Sequence, residues 1–385
     1  MSVAPSPARR RGPAIDRRTI LIYGGYAAAF VVIAAAQAAR LDPILRFVLA
    51  IVALAGGAIA VAEAVDRLSE RLSPAATGVV QSVLGNLPEL FLAIFALRAG
   101  LIGVVAAALI GSVLGNALFV LGLALVVGGL KHGVLTFSKA ANRLYATELL
   151  LGVAALLVPF LATRPSEPDI GHEVELSAIV AVVLLAIFAM SVPIAIRMAQ
   201  AGPGSRPTEA ERHDEVDEAA SAGHPAARQP LSLTLILLGA SAAAAAFVAD
   251  WFVDALGPAM ASIGMSEAFA GLIVVALASN AVENFAGITA AYRRRGDLAL
   301  SLILNSALQV VLFLAPIIVL LSLFIAPTPL TLILDPLLLG TLAVTAILVF
   351  AIVLDGEANA LEGAMLLGLY LIVGAAVWWG PAIKP

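Results

Sequence analysis

The chain has 385 residues, of which 61% are hydrophobic and only 12% are charged, and its mean hydropathy is +1.03. Soluble domains carry about 25% charged residues, so this composition excludes a soluble enzyme and predicts a protein dissolved in membrane lipid. The net charge is −4 and the basic residues fall between apolar runs, so no nucleic-acid partner is predicted. With no Cys, disulfides and thiolate metal sites are excluded.

Apolar runs near the ~20 residues that a membrane-spanning helix needs occur eleven times. They predict an all-α polytopic membrane protein with about eleven transmembrane helices, preceded by a tail at residues 1–19. The runs lie at 20–39, 44–65, 75–97, 101–130, 144–163, 174–199, 231–255, 267–292, 297–325, 330–354 and 359–380.

The basic residues predict the orientation of these helices, because Lys and Arg accumulate in cytoplasmic loops. With a cytoplasmic N-terminus, 17 of the 22 basic residues fall inside and five outside. We therefore expect a cytoplasmic N-terminus and a C-terminus outside. An alternative for the first run is a cleaved secretory signal, since Ala36-Gln37-Ala38 follows it. The other ten runs keep their orientation in either case.

Residues 200–230, rich in Gly, Pro, Ala and charge, form a predicted acidic cytoplasmic linker between two halves. Residues 209–218, "EAERHDEVDE", contain six acids. Two interpretations stay open for this stretch: a short helix that gathers or senses cations through its negative potential, or a soluble linker.

The two halves share a pattern of polar residues. The pairs related by a shift of 194 positions are Asn86 with Asn280, Glu89 with Glu283, and Ser112 with Ser306. Several matches at one shift indicate an internal repeat. We predict an extra helix at 20–39, a first five-helix repeat at 44–199 and a second at 231–380. Because five is odd, the repeats are inverted, which is typical of secondary transporters.

Glu89 and Glu283 are the acids nearest the centres of predicted spans, and no Lys or Arg lies there with them. A charge at that depth costs about 2.5 to 3.5 kcal/mol. A proton or a metal cation can offset this cost. A site that alternates between the two is that of an antiporter.

The surrounding side chains suit a hard cation, which favours oxygen ligands. Asn86 lies three residues before Glu89, so the two share a helix face, and the second half repeats this spacing with Asn280. Pro88 loosens the helix and frees backbone carbonyls. Interhelical hydrogen bonding is the alternative role for the further polar residues. These are Ser82, Ser112, Asn116, Ser306 and Gln309.

Two stretches carry a resemblance to a known family. "GNLPELFLAIFALRAGLIGVVAAALIGSVLGNALFVLGLALVVGG" resembles the first α-repeat of the cation/proton exchanger branch of the calcium/cation antiporter superfamily. "ASNAVENFAGITAAYRRRGDLALSLILNSALQVVLF" resembles the second. The resemblance implies export of cytoplasmic Ca2+ in exchange for H+, with Glu89 and Glu283 as the shared site and no cofactor. Asn284 departs from the family, whose members usually have His there.

Two other functions remain open from the sequence. A cation channel would use the same acids without obligatory exchange. A sodium-coupled or monovalent-cation exchanger is the nearer alternative, although sodium-coupled relatives tend to have Thr or Ser where this chain has Asn86 and Asn280. We expect membrane lipid as a partner, a bacterial inner (plasma) membrane as the location, and leave a homo-oligomer open.

Overall fold

The computed structural model describes residues 17–72, 74–164, 171–201 and 230–379, which are almost entirely helical. The predicted tail up to residue 16 and the acidic stretch 209–218 lie outside the described residues. The helices are α1 (Arg17–Ala38), α2 (Pro43–Ser69), α3 (Pro74–Gly85), α4 (Leu87–Arg98), α5 (Ile102–Leu114), α6 (Leu121–His132), α7 (Lys139–Ala162), α8 (Glu173–Ala201), α9 (Leu231–Ile263), α10 (Glu267–Phe269), α11 (Ala276–Ser279), α12 (Ala281–Tyr292), α13 (Gly296–Gln309), α14 (Ala315–Ile325), α15 (Pro336–Leu354) and α16 (Ala360–Trp378). Three π-helical segments, Gly115–Val120, Ala270–Val275 and Val310–Leu314, join α5 to α6, α10 to α11 and α13 to α14. The strands are β1 (Val134–Thr136) and β2 (Glu357–Asn359).

In the described part of the chain, nine helices are long and apolar enough to cross a membrane. A tenth candidate is a bent pair, Glu267–Ser279 and Ala281–Tyr292, whose halves meet at 66°. The remaining predicted span, 75–97, is folded as α3 and α4, each of 12 residues. Such helices are about 18 Å long, shorter than the ~30 Å hydrocarbon layer. The all-α polytopic class is confirmed, and the count of eleven stays a prediction.

The predicted span at 330–354 is helical only from Pro336 onward. Asp335 caps this helix because its side chain accepts a hydrogen bond from the amide of Leu337. Pro336 occupies the first helical position. The preceding apolar residues are buried without being helical: the amides of Leu330 and Leu332 donate to serine hydroxyls instead. This stretch is apolar because it is buried inside the protein.

Glycines allow α5 to cross the π-helical segment Ala270–Val275 at backbone contact. A Cβ added at Gly111 would collide with the backbone of Leu272, and one at Gly271 with the carbonyl of Val104. This contact brings Ser112, next to Gly111, close to the end of α11.

Three connections meet at one end of the helical bundle. β1, after α6, pairs antiparallel with β2, before α16, with Leu135 opposite Ala358. In the first turn of α13, just after the α12–α13 turn, Asp297 accepts a hydrogen bond of 2.6 Å from the amide of Ser138. The connections after α6, α12 and α15 are therefore held together.

Candidate cation-binding site

Two helix breaks form the centre of the site. Asn86 separates α3 from α4, and Asn280 separates α11 from α12. Their backbone angles are nearly the same, with φ −89° and ψ 14° at Asn86 and φ −91° and ψ 19° at Asn280. These angles lie in the sparsely populated bridge region, where active-site residues are often found. The two asparagines that the repeat pattern matched thus make the same kink.

The local sequence explains both breaks. Pro88 lacks an amide and would clash with the carbonyl four residues earlier in a continuous helix. No Pro follows Asn280, but its side-chain Nδ2 donates to the Ala276 carbonyl at 2.9 Å. Asn86 does the same to the Ser82 carbonyl at 2.8 Å. An Asn side chain that bonds the preceding turn competes with the helical backbone.

Each break places a glutamate in the first turn of the following half-helix, Glu89 in α4 and Glu283 in α12. The free amides and dipole of a helix N-terminus favour negative charge. Both glutamates are partly buried, and their charges are close enough to repel when both are ionised. The pair therefore attracts a cation or protons.

Hydrogen bonds link the two halves of the chain around these glutamates. Asn280 Nδ2 donates to Ser112 Oγ at 2.9 Å, and Asn116 Nδ2 donates to Ser306 Oγ at 3.1 Å. The third link joins Asn86 Nδ2 to Gln309 Oε1 at 3.1 Å. The structure thus brings the predicted Asn, Ser and Gln residues together, and each bond joins a residue before the central linker to one after it.

Several oxygen atoms in this region are buried without a hydrogen-bond partner among the described residues. They are Glu89 Oε2, Asn116 Oδ1 and Asn284 Oδ1. Buried polar atoms normally have partners, and these are acceptors suited to a hard cation. Asn284, the residue that departs from the family pattern, supplies one of them.

A cavity reaches Glu89. Its polar lining consists of Glu89, Ser112 and Ser279, and the rest of the lining is apolar. Ser279 is almost completely buried, and its hydroxyl, which donates to the Ala276 carbonyl at 3.4 Å, lines the cavity beside Glu89. We did not select Ser279 from the sequence, because its counterpart in the first half is Gly85. The sequence signal that could have identified Ser279 is its position directly before Asn280, in the stretch that ends at Glu283.

The remaining predicted residue, Ser82, contacts the site through its backbone: its carbonyl accepts from Asn86. A further acid, Asp66 of α2, is exposed and close enough to act electrostatically on Glu283. In the described ranges, no three His, Cys, Asp or Glu residues cluster as a metal site. The cation ligands available are therefore two carboxylates with amide, hydroxyl and carbonyl oxygens.

Comparisons with known proteins cover nearly the whole chain. The family pattern described as "Sodium/calcium exchanger protein" matches residues 43–197 and 233–379. A Ca(2+)/H(+) antiporter of Aphanothece halophytica is 30% identical over 89% of this chain and 92% of its own. The Ca(2+)/H(+) antiporter ChaA of Bacillus subtilis is 31% identical over 82% and 88%. The solved structure of native YfkE aligns with a TM-score of 0.76 at 25% identity, covering 93% of this chain and 99% of that one.

Proposed function

The chain belongs to the sodium/calcium exchanger protein family, in its cation/proton exchanger branch, and from this premise we propose that it exports cytoplasmic Ca2+ in exchange for H+. Glu89 and Glu283 form the shared binding site for the two ions. The observation that carries this proposal is the pair of matched helix breaks, each with a glutamate in the following first turn.

The electrostatics of the pair support exchange rather than simple binding. Two ionised carboxylates balance one Ca2+, whereas the empty site would hold two repelling charges inside the membrane. Protons must therefore replace the ion before the empty site can change sides. Charge balance permits two protons per Ca2+ at these residues.

The other site residues have distinct roles in this proposal. Glu89 Oε2 and Asn116 Oδ1 are buried acceptors available to the ion. The amide groups of Asn86 and Asn280 hold the two breaks by hydrogen bonds to Gln309 and Ser112. Because these bonds cross between the halves, binding at the site is coupled to the relative position of the halves.

Alternating access follows from the arrangement we propose for the membrane. One extra helix is followed by two inverted five-helix repeats, and α3 with α4 forms a broken span, as α10–α12 does in the second half. The N-terminus is cytoplasmic, the C-terminus is outside, and the membrane is the plasma membrane of a bacterium. Rocking of the repeats exposes the midplane site to each side in turn.

The test is proton release from acidified inside-out vesicles, read with a pH-sensitive dye as Ca2+, Na+ or K+ is added. Ca2+ should dissipate the gradient for the parent chain. Glu89→Gln and Glu283→Gln should each lower the rate at least about 100-fold, since one carboxylate no longer balances the ion. The exposed Glu70→Gln is the matched control and should retain the parent rate.

Other outcomes distinguish the remaining functions. Dissipation by Na+ or K+ alone would make the chain a monovalent-cation exchanger. A Ca2+ current without proton movement would indicate a channel. Full activity in either glutamine variant would contradict the shared site.

A further inference from the structure

The turn between α12 and α13 has the sequence Tyr292-Arg293-Arg294-Arg295-Gly296, and its backbone is unusual. The Arg295 amide bonds the Ala290 carbonyl at 2.9 Å, and Arg294 has φ +63°. This left-handed helix end normally takes Gly. Gly100 and Gly264 occupy the equivalent position after α4 and α9. An arginine is therefore held in a conformation that its side chain disfavours.

The turn is fixed by its neighbours. A Cβ at Gly296 would collide with the Thr136 carbonyl of β1, so the two backbones are in contact. Asp297, the acid next to the turn, has other partners than the arginines: its Oδ1 accepts hydrogen bonds from the Ser138 amide and from Asn142 Nδ2. All three arginines are exposed, and in the described part of the chain none of their side chains has an ion pair.

Two further basic residues, at the end of α6, border the same turn. Lys131 Nζ donates to the Tyr292 carbonyl at 3.2 Å and lies 3.4 Å from the centre of the Tyr292 ring. His132 Nε2 lies 3.0 Å from the same carbonyl and donates to it. Five basic side chains thus surround the end of α12.

Exposed apolar side chains adjoin this basic cluster. Leu130 is 77% exposed, directly before Lys131. Phe285, 75% exposed, lies two turns before Tyr292 on the same face of α12. Cationic groups at a helix end beside an apolar surface match a phospholipid with an anionic headgroup.

We propose that Lys131, His132 and the three arginines bind the headgroup of an anionic phospholipid, such as phosphatidylglycerol, whose acyl chains lie along Leu130 and Phe285. In the described part of the chain, no acid forms an ion pair with Lys131, His132 or any of the three arginines. The inference rests on the geometry of the turn and does not depend on the proposed exchange.

The chain contains its own matched control. Arg40, at the end of α1, also has a left-handed φ, of +49°, with the same capping bond from Leu41 to Ala36. Arg294→Gly and Arg40→Gly each remove one guanidinium from a position that favours Gly. Both variants should fold at least as stably as the parent in phosphatidylcholine.

The experiment titrates the purified full-length protein with phosphatidylglycerol or phosphatidylcholine and counts bound lipid by native mass spectrometry. The parent should prefer phosphatidylglycerol. Arg294→Gly should weaken its binding about five-fold and the triple variant R293Q/R294G/R295Q about 100-fold, while Arg40→Gly leaves it unchanged. Equal binding of both lipids, an equal loss in Arg40→Gly, or full competition by soluble glycerol phosphate would overturn the proposal.

Discussion

The two helix breaks have the same backbone but different surroundings. Asn280 is 3% exposed, and its amide reaches three acceptors, whereas the half-buried Asn86 reaches two. Ser279 adds a hydroxyl at the second break, where the first break has Gly85. The first break has Pro88 where the second has Val282.

The glutamates differ in a corresponding way. Glu89 has a buried oxygen without a hydrogen-bond partner among the described residues, and it lines a cavity with Ser279. Glu283 lies close enough to Asp66, an exposed acid of α2, for the two carboxylates to repel each other. A repeated backbone motif thus carries two unequal halves of the proposed site: serine hydroxyls line the cavity with Glu89, whereas an exposed acid lies near Glu283.

The largest difference between the breaks should appear when the asparagines are replaced. Asn280→Leu removes three hydrogen bonds in a fully buried position, and Asn86→Leu removes two in a half-buried one. We expect the free energy of unfolding to fall by about 2 kcal/mol for Asn280→Leu and about 1 kcal/mol for Asn86→Leu.

The measurement is thermal unfolding in detergent, alongside Ca2+-driven proton release, which both variants should lose. An equal destabilisation by the two variants would contradict the inequality of the breaks.

A smaller effect is expected at Ser279. Ser279→Ala removes the hydroxyl that lines the cavity beside Glu89 and is available to donate to its carboxylate, the form to which a cation binds. A hydrogen bond to a charged group contributes about 1.5 to 3 kcal/mol, so the Ca2+ concentration for half-maximal exchange should rise at least about ten-fold. Ser262→Ala, which removes a bond within α9 only, should leave it unchanged. No change in Ser279→Ala would remove Ser279 from the site.

The smallest effect should come from giving the second break the proline of the first. Val282 lies in the first turn of α12, where amides lack an intrahelical acceptor. Val282→Pro should therefore lower the unfolding free energy by less than about 1 kcal/mol and preserve exchange. Ile288→Pro, inside the same helix, should cost about 3 kcal/mol or more. If both prolines are equally damaging, the break at Asn280 is not a helix start.

The sequence predicted those parts of the fold that depend on apolar length and on composition. Apolar runs predicted the long helices, and Pro88 predicted a weakened helix near the first break. The shift matched Asn86 with Asn280 but gave no prediction of a break at Asn280, where no Pro follows. The sequence could not predict the π-helical segments. A π-helical turn contains one extra residue, and this insertion does not change the apolar character of the run. The apolar run at 330–354 predicts a helix from its first residue, and this is wrong for residues 330–335, because segments buried in protein and segments buried in lipid have the same apolar composition.

In the site, the sequence indicated the side chains repeated between the halves and three unrepeated ones, Ser82, Asn116 and Gln309, but it did not indicate Ser279. Ser279 has no counterpart at Gly85, so the repeat pattern gave no reason to select it. The identity of the hydrogen-bond partners was also beyond the sequence, because Asn116 and Ser306 meet only through the crossing of separate helices.

The short β1–β2 pair has a mechanical consequence. Its register, with Val134 opposite Asn359 and Thr136 opposite Glu357, ties the connection after α6 to the connection before α16. The amide of Phe137 extends the tie by bonding the Gly356 carbonyl at 2.9 Å. The ends of these helices form one stiff frame that spans both halves of the chain. Any opening at this end must therefore take place between the frame and the helices outside it, since separating the frame itself would break the strand pairing.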